Sequence, residues 1–292
     1  MNTIIFDEEK RLCQPFQFEV VTVNAQGEIT HRECKQAHYQ IFEIGNGVKL
    51  EMVLIKEGSF LMGSPKTEKG REDDEGPQHT VTIAPFYMSK YPITQNQYEA
   101  VLGENPSKFK GKNRPVERVS WYDAMRFSTQ LSHNTGKAYR LPSEAQWEYA
   151  CRAGTTTPFY FGETITTEFV NYKGNCTYRA EPKGIYRRET TEVGIFPPNS
   201  FGLYDMHGNV WEWMADAWHD NYQGAPSDGN IWTEGKDEIY RLVRGGSLYR
   251  NPEECRCANR LKHSTEIRCQ NLGFRIVLLA IDSKKSYFSI PV

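Results

Sequence analysis

Three thiols, Cys255, Cys257 and Cys269, fall within one short segment near the C-terminus, and His207 stands upstream in Asp-Met-His-Gly-Asn. Thiolate and imidazole are ligands for soft metals and the usual partners in nucleophilic catalysis. Cysteines two residues apart can share one face of a strand. Structural zinc normally takes C-x₂₋₄-C spacing and four donors, however, and no fourth donor is evident. The spacing favours buried or half-buried free thiols. His207 has no nucleophile spaced to it and reads as a hydrogen-bonded structural residue.

The thiols lie inside a longer framed stretch, RGGSLYRNPEECRCANRLKHSTEIRCQNLGFRIV, from Arg244 to Val277. Its ends, Arg-Gly-Gly-Ser and Leu-Gly-Phe-Arg, have framework character, because glycine suits turns where a Cβ would clash. Between them no apolar repeat of a strand or a helix can be found. An active site, a binding surface or a plain loop would each account for that.

The surrounding elements are better punctuated. Phe16–Val23 reads as a strand, Asn24-Ala-Gln-Gly27 as a turn, and extended runs follow near Glu28–Cys34 and Tyr39–Ile44. Strands are expected at Leu50–Ile55, Gly58–Gly63 and His79–Ile83, with Glu68–Gln78 an exposed charged loop between the last two. Three capping boxes start helices: Thr94 with Gln97, Ser120 with Asp123, and Ser143 with Gln146. Gly103, Gly136 and Gly154 mark their ends. Beyond Gly154 regular periodicity is almost lost until short strands at Arg241–Arg244 and Phe274–Leu279, a pattern of organised functional loops. Trp211 and Trp213 point the same way if that stretch is extended.

The bulk numbers exclude several classes. A 292-residue chain with 38% hydrophobic and 25% charged residues is ordinary for a globular protein. A net charge of −2 gives no support to a nucleic-acid or anionic-membrane role. No apolar run is long enough to span a membrane, and the N-terminus has no signal-peptide pattern. Seven scattered cysteines in such a chain read as free thiols, which points to a cytoplasmic setting.

Several motifs together resemble one family. They are Glu57–Ser64, Pro92–Tyr98, Arg114–Ala124, Arg140–Ala150 (RLPSEAQWEYA), Pro198–Trp213 (PNSFGLYDMHGNVWEW), Arg244–Ser247 and Leu272–Arg275. The chain resembles the formylglycine-generating-enzyme, or sulfatase-modifying factor, family over roughly residues 47–280. That resemblance implies an α+β, loop-rich fold of C-type-lectin-like type. Residues 1–46 then form an N-terminal β-hairpin or meander extension, and 281–292 a C-terminal tail. The oxidising enzymes of this family carry two cysteines in the framed segment, which bind copper and handle the substrate thiol. The matching positions here are Arg250 and Cys255. A guanidinium cannot supply a soft thiolate and does not lose its charge, so neither copper nor aldehyde chemistry is expected. Cys255 is catalytic only under the alternative that the protein is an oxidase acting on a protein cysteine. Asp205, Gly208, Val210 and Glu212 match positions that hold a structural calcium in the family; two carboxylates with backbone carbonyls are suitable hard donors, though Glu212 could equally hold a loop by hydrogen bonds.

A second branch with this fold resembles the chain in the framed segment itself: the bacterial variable proteins of diversity-generating retroelements, in which adenine-directed mutagenesis rewrites template Asn codons. Pro252, Cys255, Arg256, Ala258, Asn259, Arg260 and Arg268 stay in place against that pattern, while Tyr249, Arg250, Glu253, Glu254, Leu261, Lys262, His263, Ser264, Ile267, Cys269 and Gln270 replace Asn. Leu248, Cys257, Thr265 and Glu266 depart from it elsewhere. The resemblance implies a non-catalytic protein that presents Leu248 and those eleven residues to an unknown protein or other macromolecular ligand, with no cofactor required. An accessory domain for peptide or signalling partners is the third class, and its N-terminal strands would then either pack on the domain or offer an edge for pairing.

Overall fold

The computed structural model describes residues 13–234 and 239–279. The fold is α+β and rich in sheet, with long irregular connections. The N-terminal run Gln14–Val23 (β1) turns at Gly27, whose φ of 79° suits a residue without a Cβ, and returns as one strand, Ile29–Glu43 (β2). The sequence suggested two extended runs here; the structure merges them, because β2 pairs along its length first with β1 and then with Lys49–Ile55 (β3). The hairpin is thus part of the main sheet rather than an appendage. Gly58–Met62 (β4) and His79–Ile83 (β5) form a separate antiparallel pair. The charged connection between them is not simply exposed: Glu75 is fully buried and ion-paired to Arg256.

Phe86–Ser89 (β6) follows, then the helices Gln95–Leu102 (α1), Trp121–Thr135 (α2) and Glu144–Arg152 (α3). All three expected capping boxes are present, with the Thr94, Ser120 and Ser143 side chains accepting the N–H of Gln97, Asp123 and Gln146. The first two helices end on left-handed Gly103 and Gly136. The third ends one residue earlier than Gly154, on Ala153 at φ 46°. Two-residue Tyr139–Arg140 (β7) lies between α2 and α3.

The expectation that regular periodicity is almost lost between Gly154 and Arg241 meets an exception at Trp211–Ala217 (β8). Six of its seven residues are buried, so it shows no in–out alternation to read. Tyr240–Arg244 (β9), Leu261–Ser264 (β10), Leu272–Gly273 (β11) and Val277–Leu279 (β12) complete the chain. The six-stranded sheet runs β1-β2-β3-β6-β12-β7 and the four-stranded sheet β10-β9-β8-β11. The strand expected over Phe274–Leu279 is interrupted, because the chain there leaves one sheet, at β11, and enters the other, at β12. Arg275 sits at that crossing and pairs with Glu212 of β8.

Candidate functional site

The framed segment begins where β9 ends. Arg244 is fully buried: its Nη1 donates to the carbonyls of Ala258 (2.8 Å) and Asn259 (2.9 Å), and its Nη2 to that of Cys257 (2.8 Å) and to the Glu148 carboxylate. One guanidinium thereby fixes three backbone carbonyls of the segment to α3. Arg256 pairs with Glu75 and Glu68, and Arg260 with Glu144 of α3 (2.7 Å). At Gly246, φ is 73°, and an added Cβ would lie 2.4 Å from Cys255 Sγ. Only glycine lets that thiol approach so closely.

The residues between the frame positions behave differently. Lys262 is exposed, and Tyr249, Arg250, Glu253, Glu254, Leu261, His263, Ser264, Ile267, Cys269 and Gln270 are half-buried. Leu248 is fully buried, which corrects its placement among the displayed residues: it is frame. Leu261, Ile267 and Cys269 lean against the core around Phe274, and so offer only part of their surface. Glu253 packs against Gly70. Gln270 donates to Tyr249 Oη (2.8 Å), and Tyr249 meets Tyr186 edge-to-face at 6.5 Å. Lys108 reaches Gln270, and Tyr249 Oη donates to the Arg188 carbonyl (3.3 Å). Lys108, Tyr186 and Arg188 therefore flank the displayed residues, although no local pattern singles them out. Burial lowers the pKa of the His263 imidazole, and nearby Arg250 adds to the effect.

Arg250, at the first of the two positions where the oxidising enzymes carry thiols, pairs with Glu254 at 2.9 Å. Cys255 is fully buried, and burial raises its thiol well above the ordinary cysteine range. Among the described residues it is a free thiol. Cys151, at the end of α3, lies 3.7 Å from Cys257, and His207 touches both, at 4.0 Å (Nδ1 to Cys151 Sγ) and 3.9 Å (Nε2 to Cys257 Sγ). His207 is buried and hydrogen-bonded, accepting the Tyr160 N–H at 3.1 Å, but it is not alone, since two thiols adjoin its ring. The sequence named Cys257 and His207 as candidate ligands, and Cys257 departs from the retroelement pattern, but nothing local joined either to Cys151. Burial raises both thiols; the Cys151 S–H and His207 more than offset it at Cys257, while the neighbouring Cys257 raises Cys151 further.

The calcium positions do not make a hard-ion site. Both oxygens of Glu212 accept from Arg275 (2.7 and 2.8 Å), and Trp147 donates to one of them at 2.7 Å. Asp205 Oδ2 accepts from Gly194 N–H at 2.7 Å, which leaves Asp205 Oδ1 as the unpartnered buried oxygen. Gly208, at φ 70°, gives its N–H to Gly245, and Val210 is buried. With Glu212 neutralised by a guanidinium, one free carboxylate oxygen with the Gly208 and Val210 carbonyls falls short of the six to eight donors calcium takes. These residues do not fit that ion.

A family model described as "Sulfatase-modifying factor enzyme 1-like domain" matches residues 45–280. The formylglycine-generating enzyme of Mus musculus is 29% identical over 77% of this chain and 74% of its own. Among solved structures, PvdO from Pseudomonas aeruginosa aligns with a TM-score of 0.73 at 37% identity, over 82% of this chain and 98% of that one. Treponema denticola variable protein 1 aligns with a TM-score of 0.69 at 25% identity, over 83% and 99% of the two chains. No helix among the described residues is long and apolar enough to cross a membrane.

Proposed function

The chain belongs to the sulfatase-modifying factor enzyme 1-like family, and we propose that it is a non-catalytic, ligand-binding member whose segment 249–270 is a diversified recognition surface, as in the variable proteins of retroelements. One observation carries this reading: none of the eleven residues that replace Asn is fully buried, whereas Pro252, Cys255, Arg256, Ala258, Asn259 and Arg260, which keep the template residue, are buried. Arg268, also kept, is exposed and pairs with Asp123. An ordinary loop has no reason to sort itself this way. The outward set combines an aromatic anchor with charges and amides, the composition of protein-binding hot spots. Similarity to the Treponema variable protein supports the same reading.

A formylglycine-type oxidase is disfavoured by Arg250, which occupies the place of a thiol and is bound to Glu254. The proposal requires a near-copy of the coding sequence for Arg244–Val277 close by in the genome, differing only at adenines and beside a reverse transcriptase. Absence of that repeat, or substitutions spread over other bases, would remove it. Purified protein given copper and a cysteine-containing sulfatase peptide is expected to yield no aldehyde. Aldehyde that disappears in Cys255→Ala would reinstate the enzyme.

A further inference from the structure

Cys151, His207 and Cys257 are fully or almost fully buried and form the one group of three metal-competent side chains among the described residues. We propose that they are a binding site for a thiophilic d10 ion, zinc(II) or copper(I). Two sulfurs each about 2.3 Å from one ion at a tetrahedral angle stand about 3.8 Å apart, and the two thiols here stand 3.7 Å apart. No backbone movement is needed to bring them to that spacing. The imidazole supplies the third donor through Nε2, 3.9 Å from Cys257 Sγ. That lone pair now accepts the Tyr160 N–H at 3.1 Å. Coordination through Nε2 gives up this hydrogen bond, and a single neutral hydrogen bond is worth far less than a metal–thiolate bond. The His207 ring is held by near-parallel stacking on Tyr160, with centroids 4.7 Å apart at 17°.

The three residues come from different parts of the chain: the last turn of α3, the loop before β8 and the interior of the framed segment. The Cys257 carbonyl is itself held by Arg244. An ion there clamps the floor of the displayed segment to the helix. It would be structural, since the ligands are closed off from solvent. Softness selects the ion: two thiolates and an imidazole suit zinc(II) or copper(I) and reject calcium or magnesium. Binding releases the two thiol protons.

The test uses the full chain, reduced and freed of metal, then offered zinc(II) or copper(I) in separate anaerobic arms and desalted. Elemental analysis should give one ion per chain in at least one arm, and the occupied arm identifies the ion. Cobalt(II) in place of zinc should show thiolate-to-metal charge-transfer absorption. Cys257→Ser and Cys151→Ser should each lose the ion, and Cys255→Ser, buried nearby but outside the cluster, should retain it. Folding of each variant is checked by circular dichroism, and His207→Gln, which keeps an acceptor for Tyr160, serves if a cysteine variant fails to fold. Folded protein without stoichiometric ion in both arms overturns the proposal. So does equal binding by wild type and Cys257→Ser, or a mass two hydrogens low that maps to a Cys151–Cys257 disulfide in protein purified under reducing conditions.

Discussion

At the scale of single residues, glycine positions separate space from conformation. Gly103 closes α1 at φ 74° with nothing within 4 Å of a notional Cβ, so Gly103→Ala meets only the left-handed penalty, roughly 1 kcal/mol. Gly246 has nearly the same φ, but a Cβ there would meet Cys255 Sγ at 2.4 Å, Cys255 Cα at 2.8 Å and the Glu254 carbonyl at 2.8 Å. Gly246→Ala is expected to cost at least about 2 kcal/mol more than Gly103→Ala, since backbone atoms must move. Urea denaturation of the two variants checks this, and equal costs would show that the Gly-Gly turn yields easily. Asp216 gives a second residue-scale prediction. Its carboxylate accepts the N–H of Glu144 and of Trp232, both at 2.9 Å, but burial, with the Glu144 charge adding to it, pushes its pKa up to about 7. The folded form therefore keeps a proton that the unfolded chain loses above its ordinary carboxylate range. Stability should fall as pH rises from about 4 to about 7, by up to about 1.4 kcal/mol per unit from this group. Asp216→Asn keeps an acceptor and cannot titrate, so its stability should lack that slope; an unchanged slope in urea titrations across the window would refute the assignment.

At the scale of elements, legibility follows how local the determining contacts are. The three helices could be read because each capping box closes within four residues of chain, and nothing distant needs to be known. Strand β8 could not, because it is covered on both faces and carries no alternation; Trp211 and Trp213 alone hinted at extension. The frame of the segment from Arg244 to Val277 was legible as glycines and arginines, but their partners were not. Arg244 meets Glu148 across ninety-six residues of sequence, and Cys151 meets Cys257 across one hundred and six. Only the folded stacking of α3 beneath β9 makes those pairs. The arginine contacts carry a prediction of their own. Removing Arg244 leaves Glu148 with one of its two guanidinium partners and strips three carbonyls of their donor. Arg244→Met should destabilise by about 3–5 kcal/mol, the usual penalty for breaking a buried charge pair. Arg244→Lys should recover only part of that, since an ammonium cannot reproduce the planar fork. Full recovery by lysine, measured by chemical denaturation, would mean that charge alone matters there.

At the scale of the whole molecule, the two sheets, α3 and the arginine–glutamate pairs form a foundation, and under the proposed function the segment from Tyr249 to Gln270 is its variable face. A protein selected to tolerate change at chosen positions must carry its stability elsewhere, and here the buried frame residues alternate in sequence with the displayed ones. The molecule should therefore respond in two ways to substitution within one short stretch. Replacing Tyr249, Lys262 and Gln270 together by Asn, the residue the template pattern carries at each, should change stability by no more than about 1.5 kcal/mol, because Lys262 is exposed and Tyr249 and Gln270 are only half-buried, so each change removes little buried contact. Tyr249 and Gln270 share a hydrogen bond at 2.8 Å, so their two effects will couple rather than add. Arg260→Asn, in the same stretch and equally polar, should cost about 3 kcal/mol or more, since it leaves the buried Glu144 carboxylate without its bidentate partner. Thermal and urea unfolding of the triple variant beside Arg260→Asn decides the matter. A triple variant that unfolds as readily as Arg260→Asn would mean that the outward residues hold the fold together, and a surface that does so is not free to be rewritten.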